Sequence, residues 1–238
     1  MEDVGALWVY LRATPLLWLT ATLAAYLGAS QLQAWLGRRP LANPVLIAVA
    51  VLVLLLRLSG TPYPTYFEGA QFVHFMMGPA TVALAVPLIA EAGRVRRLLL
   101  PMVVAVIAGS VTAITTAMGV AWALGASRTT LLSLAPKSVT TPIAMAIAER
   151  AGGLPGLTAV LVILTGITGA VLVTPLMNLL GVRDFAARGF AAGVASHGIG
   201  TARAFQVSEL AGAFAGLGLA LNGLATSVLA PVLIGWLT

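Results

Sequence analysis

The chain has 238 residues, of which 60% are hydrophobic and 8% are charged, and its formal net charge is +6. Soluble domains carry about 25% charged residues, so 13 Lys and Arg with 7 Asp and Glu are too few to cover a water-soluble globule. The mean hydropathy is +1.01. At about 20 residues per crossing, the chain is predicted to be a polytopic membrane protein with roughly seven or eight spans. The lack of cysteine excludes disulfides and thiolate sites.

Eight apolar segments follow one another along the chain, at about residues 15–35, 41–58, 71–92, 98–124, 129–148, 157–180, 185–205 and 211–237. They predict an all-α fold that forms a single transmembrane domain over residues 1–238. The arginines fall mostly between these segments, as is typical of membrane-edge anchors and not of a nucleic-acid-binding surface. Glu2 and Asp3 are acidic where a secretory signal is basic, so we expect a retained first helix in the inner, cytoplasmic membrane.

The third, fifth and seventh segments contain helix-breaking residues. These are Gly78, Pro79, Pro136, Pro142, Gly198 and Gly200. An unsatisfied backbone group is costly in hydrocarbon, so discontinuous helices persist only where protein or a polar cavity surrounds them. Transporters use such helices to form a substrate site at the middle of the membrane. Pro and Gly also occur in ordinary membrane helices, but three interrupted segments with hydroxyl groups beside the breaks favour one shared midplane site.

The interruptions are periodic along the sequence. Pro136 follows Pro79 at the same spacing that separates Gly109, Gly166 and Gly223. This spacing predicts internal repeats, with units at about residues 71–127, 128–184 and 185–238, each a broken helix followed by a long one. Broken segments that cross the membrane would make the repeats parallel, and segments that re-enter would make successive units inverted. The sequence leaves both arrangements open.

Polar side chains in the broken segments predict an anion-binding site. A charge at membrane depth usually faces a cavity and is functional, which favours Lys137, and Arg203 offers a bidentate fork for a carboxylate. Snorkelling to the interface is the alternative for Lys137, and proximity to Glu209 near the segment end weakens the case for Arg203. The predicted substrate-binding residues are Thr81, Lys137, Ser138, Thr140, Thr141, Ser196, His197, Thr201 and Arg203.

His197 is expected to contact the substrate or to carry a proton. Small residues flank it, so another backbone can approach the ring closely, and an imidazole titrates near physiological pH. The alternative is that His197 forms a structural hydrogen bond. We predict no catalytic residue and no metal ligand. The chain has no Walker A run, the motif of nucleotide binding, and no His-Glu-x-x-His, the motif of zinc metalloproteases. Ser196 and His197 are adjacent and point apart on a helix, which makes a poor dyad, so an enzyme is not expected. No cofactor is expected beyond a coupling H⁺ or Na⁺.

Three strings carry a family resemblance: GPATVALAVPL at residues 78–88, APKSVTTPIA at 135–144 and ASHGIGTARA at 195–204. Through them the chain resembles the LrgB/CidB family over about residues 43–238. That family includes the bacterial LrgB, CidB and YohK proteins and the C-terminal membrane part of the plastid glycolate/glycerate translocator. Gly198 stands where alanine is more usual in the family, a small-for-small change.

The resemblance implies two different functions. The plant relatives resemble carboxylate carriers, whereas the bacterial members are described as modulators of murein hydrolase export and autolysis, paired with a small holin-like protein of the LrgA/CidA type. A holin-like pore needs oligomerising helices, and a carrier needs a preformed anion site. The sequence therefore favours a proton- or ion-coupled, alternating-access transporter of small carboxylates such as glycolate, glycerate, lactate or pyruvate. The holin-like role stays the alternative. Expected partners are a small organic anion, the lipid bilayer, an LrgA/CidA-type protein and further copies of this chain, and no nucleic acid.

Overall fold

The computed structural model describes residues 15–83 and 86–237, and every regular element within them is an α-helix. The ten described helices are α1 (Pro15–Trp35), α2 (Pro44–Ser59), α3 (Tyr63–Ala83), α4 (Val86–Ala90), α5 (Ala92–Ala123), α6 (Arg128–Leu134), α7 (Thr141–Ala151), α8 (Pro155–Leu179), α9 (Phe185–Val207) and α10 (Glu209–Leu237). The side chains of residues 77, 81, 88 and 237 lie outside the description. The described residues divide into two compact units, residues 15–83 and 86–237. The single transmembrane domain over residues 1–238 stays a prediction.

The first unit consists of α1, α2 and α3. α1 packs against both other helices, and Trp18 of α1 is fully buried with its ring edge-on to Tyr66 of α3. α2 begins at Pro44 because the Asn43 side chain accepts hydrogen bonds from first-turn N–H groups. It ends before Gly60, which adopts the left-handed conformation at φ +63°. Local sequence therefore sets both ends of α2.

The third apolar segment differs from its prediction. α3 continues through Gly78 and Pro79 and ends at Ala83, so these two residues do not break the helix. A proline removes one N–H from the helical ladder, and membrane helices tolerate that loss where neighbouring groups compensate for it. The short α4 belongs to the second unit, where it packs against α10.

Three helices of the second unit are long and apolar enough to cross a membrane: α5, α8 and α10. They are the only such helices among the described residues. α10 packs against α5, α7 and α9, and α8 packs against α6, α7 and α9. The three long helices therefore form the frame into which the shorter elements α6, α7 and α9 are inserted.

Residues 128–151 form a helical hairpin, here called hairpin A, with α6 and α7 as its arms. The Ser133 hydroxyl in α6 accepts a hydrogen bond of 2.8 Å from the backbone N–H of Leu154, just after α7. Thr158 of α8 donates to the Ser133 carbonyl oxygen over 2.9 Å. Arg128 and Arg150, at the open ends of the two arms, line one cavity. The chain therefore reverses within residues 135–140, here called tip A, and returns to the end where it started.

α9, here called hairpin B, also reverses direction. Its backbone leaves helical geometry at Ser196 and His197, here called tip B, and His197 has φ +43° and ψ −137°. The two arms then lie side by side, since a Cβ on Gly200 in the second arm would approach the Ala192 carbonyl oxygen of the first to 2.6 Å. The first and last residues of α9 line the same small cavity at the open end of the hairpin.

The two hairpins enter the second unit from opposite ends. Hairpin A follows α5, and α8 connects hairpin A to hairpin B. α8 has 25 residues, enough to span a membrane of about 30 Å, so the open ends of the hairpins lie at opposite ends of this helix. Among the described residues, the order of long helix and hairpin thus occurs twice with opposed directions. The internal repeats and their boundaries stay a prediction.

Small residues let hairpin B pack tightly against α10. A Cβ on Gly189 would overlap the Ala211 carbonyl oxygen, and a Cβ on Gly193 would overlap the Ala215 carbonyl oxygen. The two contacts keep the same offset along the sequence, so the first arm of hairpin B and α10 run parallel. Membrane helices reach such backbone separations only where the facing residues are small, and this packing fixes the position of hairpin B.

We expect Gly193→Ala to destabilise the protein by about 1–3 kcal/mol, because the added methyl group meets backbone that cannot move aside. The measurement is thermal unfolding in detergent. Gly119→Ala is the matched control, because a Cβ on Gly119 of α5 would meet no atom within 4 Å. It should leave the stability unchanged or raise it by up to about 1 kcal/mol through helix propensity. Equal stability of the two variants would contradict the tight packing of hairpin B on α10.

Candidate functional site

Both hairpin tips expose backbone groups in the interior of the second unit. α6 ends at Leu134 and α7 begins at Thr141, so the residues of tip A lack a continuous helical ladder. The carbonyl of Ser138 precedes Pro142 by four residues, and proline has no N–H to offer it. In hairpin B the carbonyl of Val194 lies two residues before the break. Such groups need a partner, because an unpaired buried carbonyl is costly.

Asn222 of α10 supplies that partner for both tips. Its Nδ2 donates to the Ser138 carbonyl oxygen over 3.1 Å and to the Val194 carbonyl oxygen over 2.9 Å. Its Oδ1 accepts from the Ser110 hydroxyl of α5 at 2.6 Å and from the Thr226 hydroxyl at 3.3 Å. The side chain is 1% exposed. One carboxamide therefore uses both of its donor hydrogens and its acceptor to join tip A, tip B, α5 and α10.

His197 anchors tip B to α8. Its Nε2 lies 2.9 Å from the Val162 carbonyl oxygen, so this nitrogen carries the hydrogen and donates. The ring fits there because α8 has a glycine at the contact: a Cβ on Gly166 would lie 2.7 Å from Cε1 of the imidazole. Thr201 donates to the His197 carbonyl oxygen over 2.9 Å in the first turn of the second arm. In this conformation the imidazole has the structural role that the sequence offered as the alternative to proton transfer.

A cavity of about 1080 Å³ lies beside the tips, between α5, α8 and the two hairpins. Its lining is mostly apolar, with Leu98, Pro101 and Phe214 among the residues. At one end, near the start of α5, Arg94 forms an ion pair with Asp184, and both side chains are partly exposed. The inner end reaches both tips. The cavity therefore leads from one end of the second unit to the point where the hairpins meet.

Lys137, Ser138 and Ser196 of the two tips line the inner end of this cavity, and Thr165 and Thr168 of α8 line it as well. Lys137, the only lysine of the chain, is half-buried, and its Nζ donates to the Ser138 hydroxyl over 3.3 Å. It forms no ion pair with any acidic group among the described residues. Ser196 is 1% exposed, and its Oγ has no hydrogen-bond partner in the described part of the chain. The Lys137 ammonium group and the Ser138 hydroxyl therefore face the cavity, whereas the Ser196 Oγ is buried against Gly169 of α8, where a Cβ would overlap it.

The other predicted residues lie elsewhere. Thr140 and Thr141 are half-buried at the start of α7 and do not line the large cavity. Arg203 lines a separate small cavity at the open end of hairpin B, and its Nη1 donates to Gln206 over 3.0 Å. The side chain of Thr81 lies outside the described residues. The structure therefore brings three members of the predicted set together at the cavity and places His197 and Thr201 behind tip B.

Asn222 and its partners Ser110 and Thr226 are residues of the site that the sequence did not predict. The available signal was an isolated carboxamide in the middle of the last apolar segment, ALNGLATS at residues 220–227. Polar amides inside membrane helices usually form hydrogen bonds between helices. Asn222 carries no charge and lies beside no helix break, so neither feature marks it in the sequence.

We expect Asn222→Leu to be strongly destabilising, because two buried carbonyls lose their donors at about 1–3 kcal/mol each. Thermal unfolding in detergent gives the stability, and limited proteolysis at residues 135–140 reports opening of tip A. Asn178→Leu makes the same substitution at an exposed position of α8 and should change neither readout. If both variants unfolded alike, Asn222 would not hold the tips together.

Comparison with known proteins identifies relatives along almost the whole chain. The sequence model of the LrgB-like family matches residues 22–236. The uncharacterized protein YwbG of Bacillus subtilis is 35% identical over 216 residues, which cover 91% of this chain and 96% of the relative. Holin-like protein CidB of Staphylococcus epidermidis is 31% identical over 195 residues, or 82% and 85% of the two chains. CidB of Staphylococcus aureus is 29% identical over 219 residues, or 92% and 95%. No solved structure matches the chain.

Proposed function

This chain belongs to the LrgB-like family, and from that premise we propose that it carries small carboxylates across the cytoplasmic membrane by alternating access. The candidate substrates are of the glycolate, glycerate, lactate and pyruvate type. The observation that carries the proposal is the meeting of two oppositely inserted hairpins at a cavity that contains the only lysine of the chain. In transporters, discontinuous helices of inverted repeats meet in this way around a substrate near the middle of the membrane.

The electrostatics of the tips favour an anion. Lys137 contributes a positive charge that no acidic side chain among the described residues neutralises. The second arm of each hairpin begins at its tip, α7 at Thr141 and the second arm of hairpin B after His197, so both positive helix ends lie toward the middle of the unit. The hydroxyl of Ser138 accepts from Lys137 and keeps its own hydrogen to donate. A carboxylate in the cavity can therefore receive hydrogen bonds from one ammonium group and one hydroxyl, and the buried Ser196 hydroxyl would join them only after tip B moves away from Gly169 of α8.

Access from one end at a time follows from the shape of the cavity. Lys137 is reached from the end that carries Arg94 and Asp184. On the far side of tip A, Ile143 of α7 packs against α10, where a Cβ on Gly223 would lie 3.3 Å from its Cδ1. Alternating access then requires a hairpin to move against α10. Coupling to H⁺ or Na⁺ belongs to the proposal, and proton transfer through His197 would require its hydrogen bond to Val162 to open.

A second candidate function has support from the names of the relatives. Two of the compared proteins are described as holin-like protein CidB, which favours a role beside a small LrgA/CidA-type membrane protein in murein hydrolase export and autolysis. In that role the chain would act in a complex or homo-oligomer, and Lys137 would have no solute to bind. Flux of a carboxylate through the purified protein separates the two functions, because only the carrier works without a partner.

We expect purified protein in proteoliposomes to take up at least one of radiolabelled glycolate, glycerate, lactate and pyruvate, faster with a pH or Na⁺ gradient than without. Lys137→Ala should reduce that uptake by about ten- to hundred-fold, the value of a hydrogen bond to a charged group. Lys137→Arg should also reduce uptake, because a planar guanidinium group replaces the compact charge of an ammonium group. Arg183→Ala, which removes an exposed cation, is the control and should retain uptake.

Chemical modification adds an independent readout. Because the chain has a single lysine, an amine reagent that enters the cavity modifies one side chain, and a bound carboxylate should protect it. No uptake of any of the four acids, with no protection of Lys137, would contradict the carrier and favour the holin-like role.

A further inference from the structure

A second cavity, of about 540 Å³, lies at the opposite end of the second unit, between hairpin A and the end of α10. Its walls are apolar on both sides: α7 contributes Ile143, Ala146 and Ile147, and α10 contributes Pro231 and Ile234. Ser227 also lines it, but its hydroxyl donates to the Gly223 carbonyl oxygen over 2.7 Å. The interior of this cavity therefore offers apolar surface and one hydroxyl that is already engaged.

Two arginines stand at the rim of this second cavity. Arg128 begins α6 and Arg150 lies in the last turn of α7, so both come from the open end of hairpin A. Both are exposed, and neither forms an ion pair with an acidic group among the described residues. No Asp or Glu lines the cavity. The rim therefore carries two positive charges above an apolar cleft.

The second cavity lies where the long helices end. α5 ends at Ala123 and α10 at Leu237, so the rim is at the level expected for the lipid headgroups. Trp236, beside the cavity-lining Gly235, is 84% exposed, and tryptophan concentrates at this level of a membrane. A ligand here meets cationic groups at the interface and apolar side chains toward the membrane interior.

We propose that the second cavity binds an anionic phospholipid, with its phosphate on Arg128 and Arg150 and an acyl chain between α7 and α10. Guanidinium groups pair with phosphate oxygens in bidentate geometry, and basic pockets between membrane helices bind anionic headgroups. The apolar walls match an acyl chain and not a small hydrophilic anion. A lipid in this position contacts the arm that leads to tip A and braces it against α10.

The test measures lipid binding directly and does not depend on transport. Purified protein in detergent is titrated with phosphatidylglycerol or phosphatidylcholine of equal chain length, and bound lipid is counted by native mass spectrometry. We expect tighter binding of phosphatidylglycerol and a loss of about five-fold for each arginine removed in Arg128→Gln and Arg150→Gln. The matched control is Arg183→Gln with Arg188→Gln, which removes the same charge at two positions of the second unit that do not line this cavity.

A further variant tests the apolar cleft separately from the charges. Ala146→Trp fills the cavity from an exposed position of α7 and keeps both arginines, so it should also lose the lipid. Equal binding of the two lipids, or unchanged binding after loss of both arginines, would overturn the proposal. Displacement of the lipid by millimolar glycolate or glycerol phosphate would overturn it as well, because the cavity would then bind a soluble anion. If Ala146→Trp left lipid binding unchanged but dissociated a dimer, the proposal would also fail, because the cleft would then bind a second copy of the chain.

Discussion

The carboxamide of Asn222 satisfies two backbone carbonyls, from Ser138 and Val194, that the helix breaks leave in the interior of the second unit. Discontinuous helices are tolerated in an apolar interior only when such groups find partners. A neutral amide does this without introducing a charge, and its oxygen is held in turn by Ser110 and Thr226. Asn222 joins the two tips to each other, while the packing of hairpin B on α10 and the His197 hydrogen bond to Val162 also hold tip B beside the cavity.

Once the tips are held, the polar groups that face the cavity follow. Lys137 and Ser138 belong to tip A and Ser196 to tip B, so these residues line one cavity only because the hairpins meet. His197 fixes tip B from behind through α8, and the Ser196 hydroxyl is buried against Gly169 of the same helix. The proposed anion site is thus assembled from two opposed hairpins, and a relative movement of the hairpins would open or close it.

The sequence predicted the helical class, and it predicted the bounds of α1 and α8 closely because these depend on local pattern: residues 15–35 coincide with α1, and residues 157–180 lie close to the bounds of α8. It did not reveal that the broken segments reverse, since hydropathy is the same for a segment that crosses and one that returns. Nor did the prolines act alike: α3 passes through Pro79, whereas α6 ends before Pro136. In tip A the Ser138 carbonyl, which Pro142 leaves without an N–H, receives a hydrogen bond from Asn222 of α10, a distant partner that the local sequence does not show.

The most direct test is the sidedness of single cysteines placed at both ends of each hairpin in this cysteine-free chain. Ser127→Cys and Glu149→Cys flank hairpin A, and Arg183→Cys and Glu209→Cys flank hairpin B, all at exposed positions. An impermeant maleimide is applied to intact cells and to inverted vesicles. Re-entrant hairpins predict that each pair reacts from a single side and that the two pairs react from opposite sides. Reaction of the two members of a pair from opposite sides would show that the segment crosses the membrane, and would contradict the account.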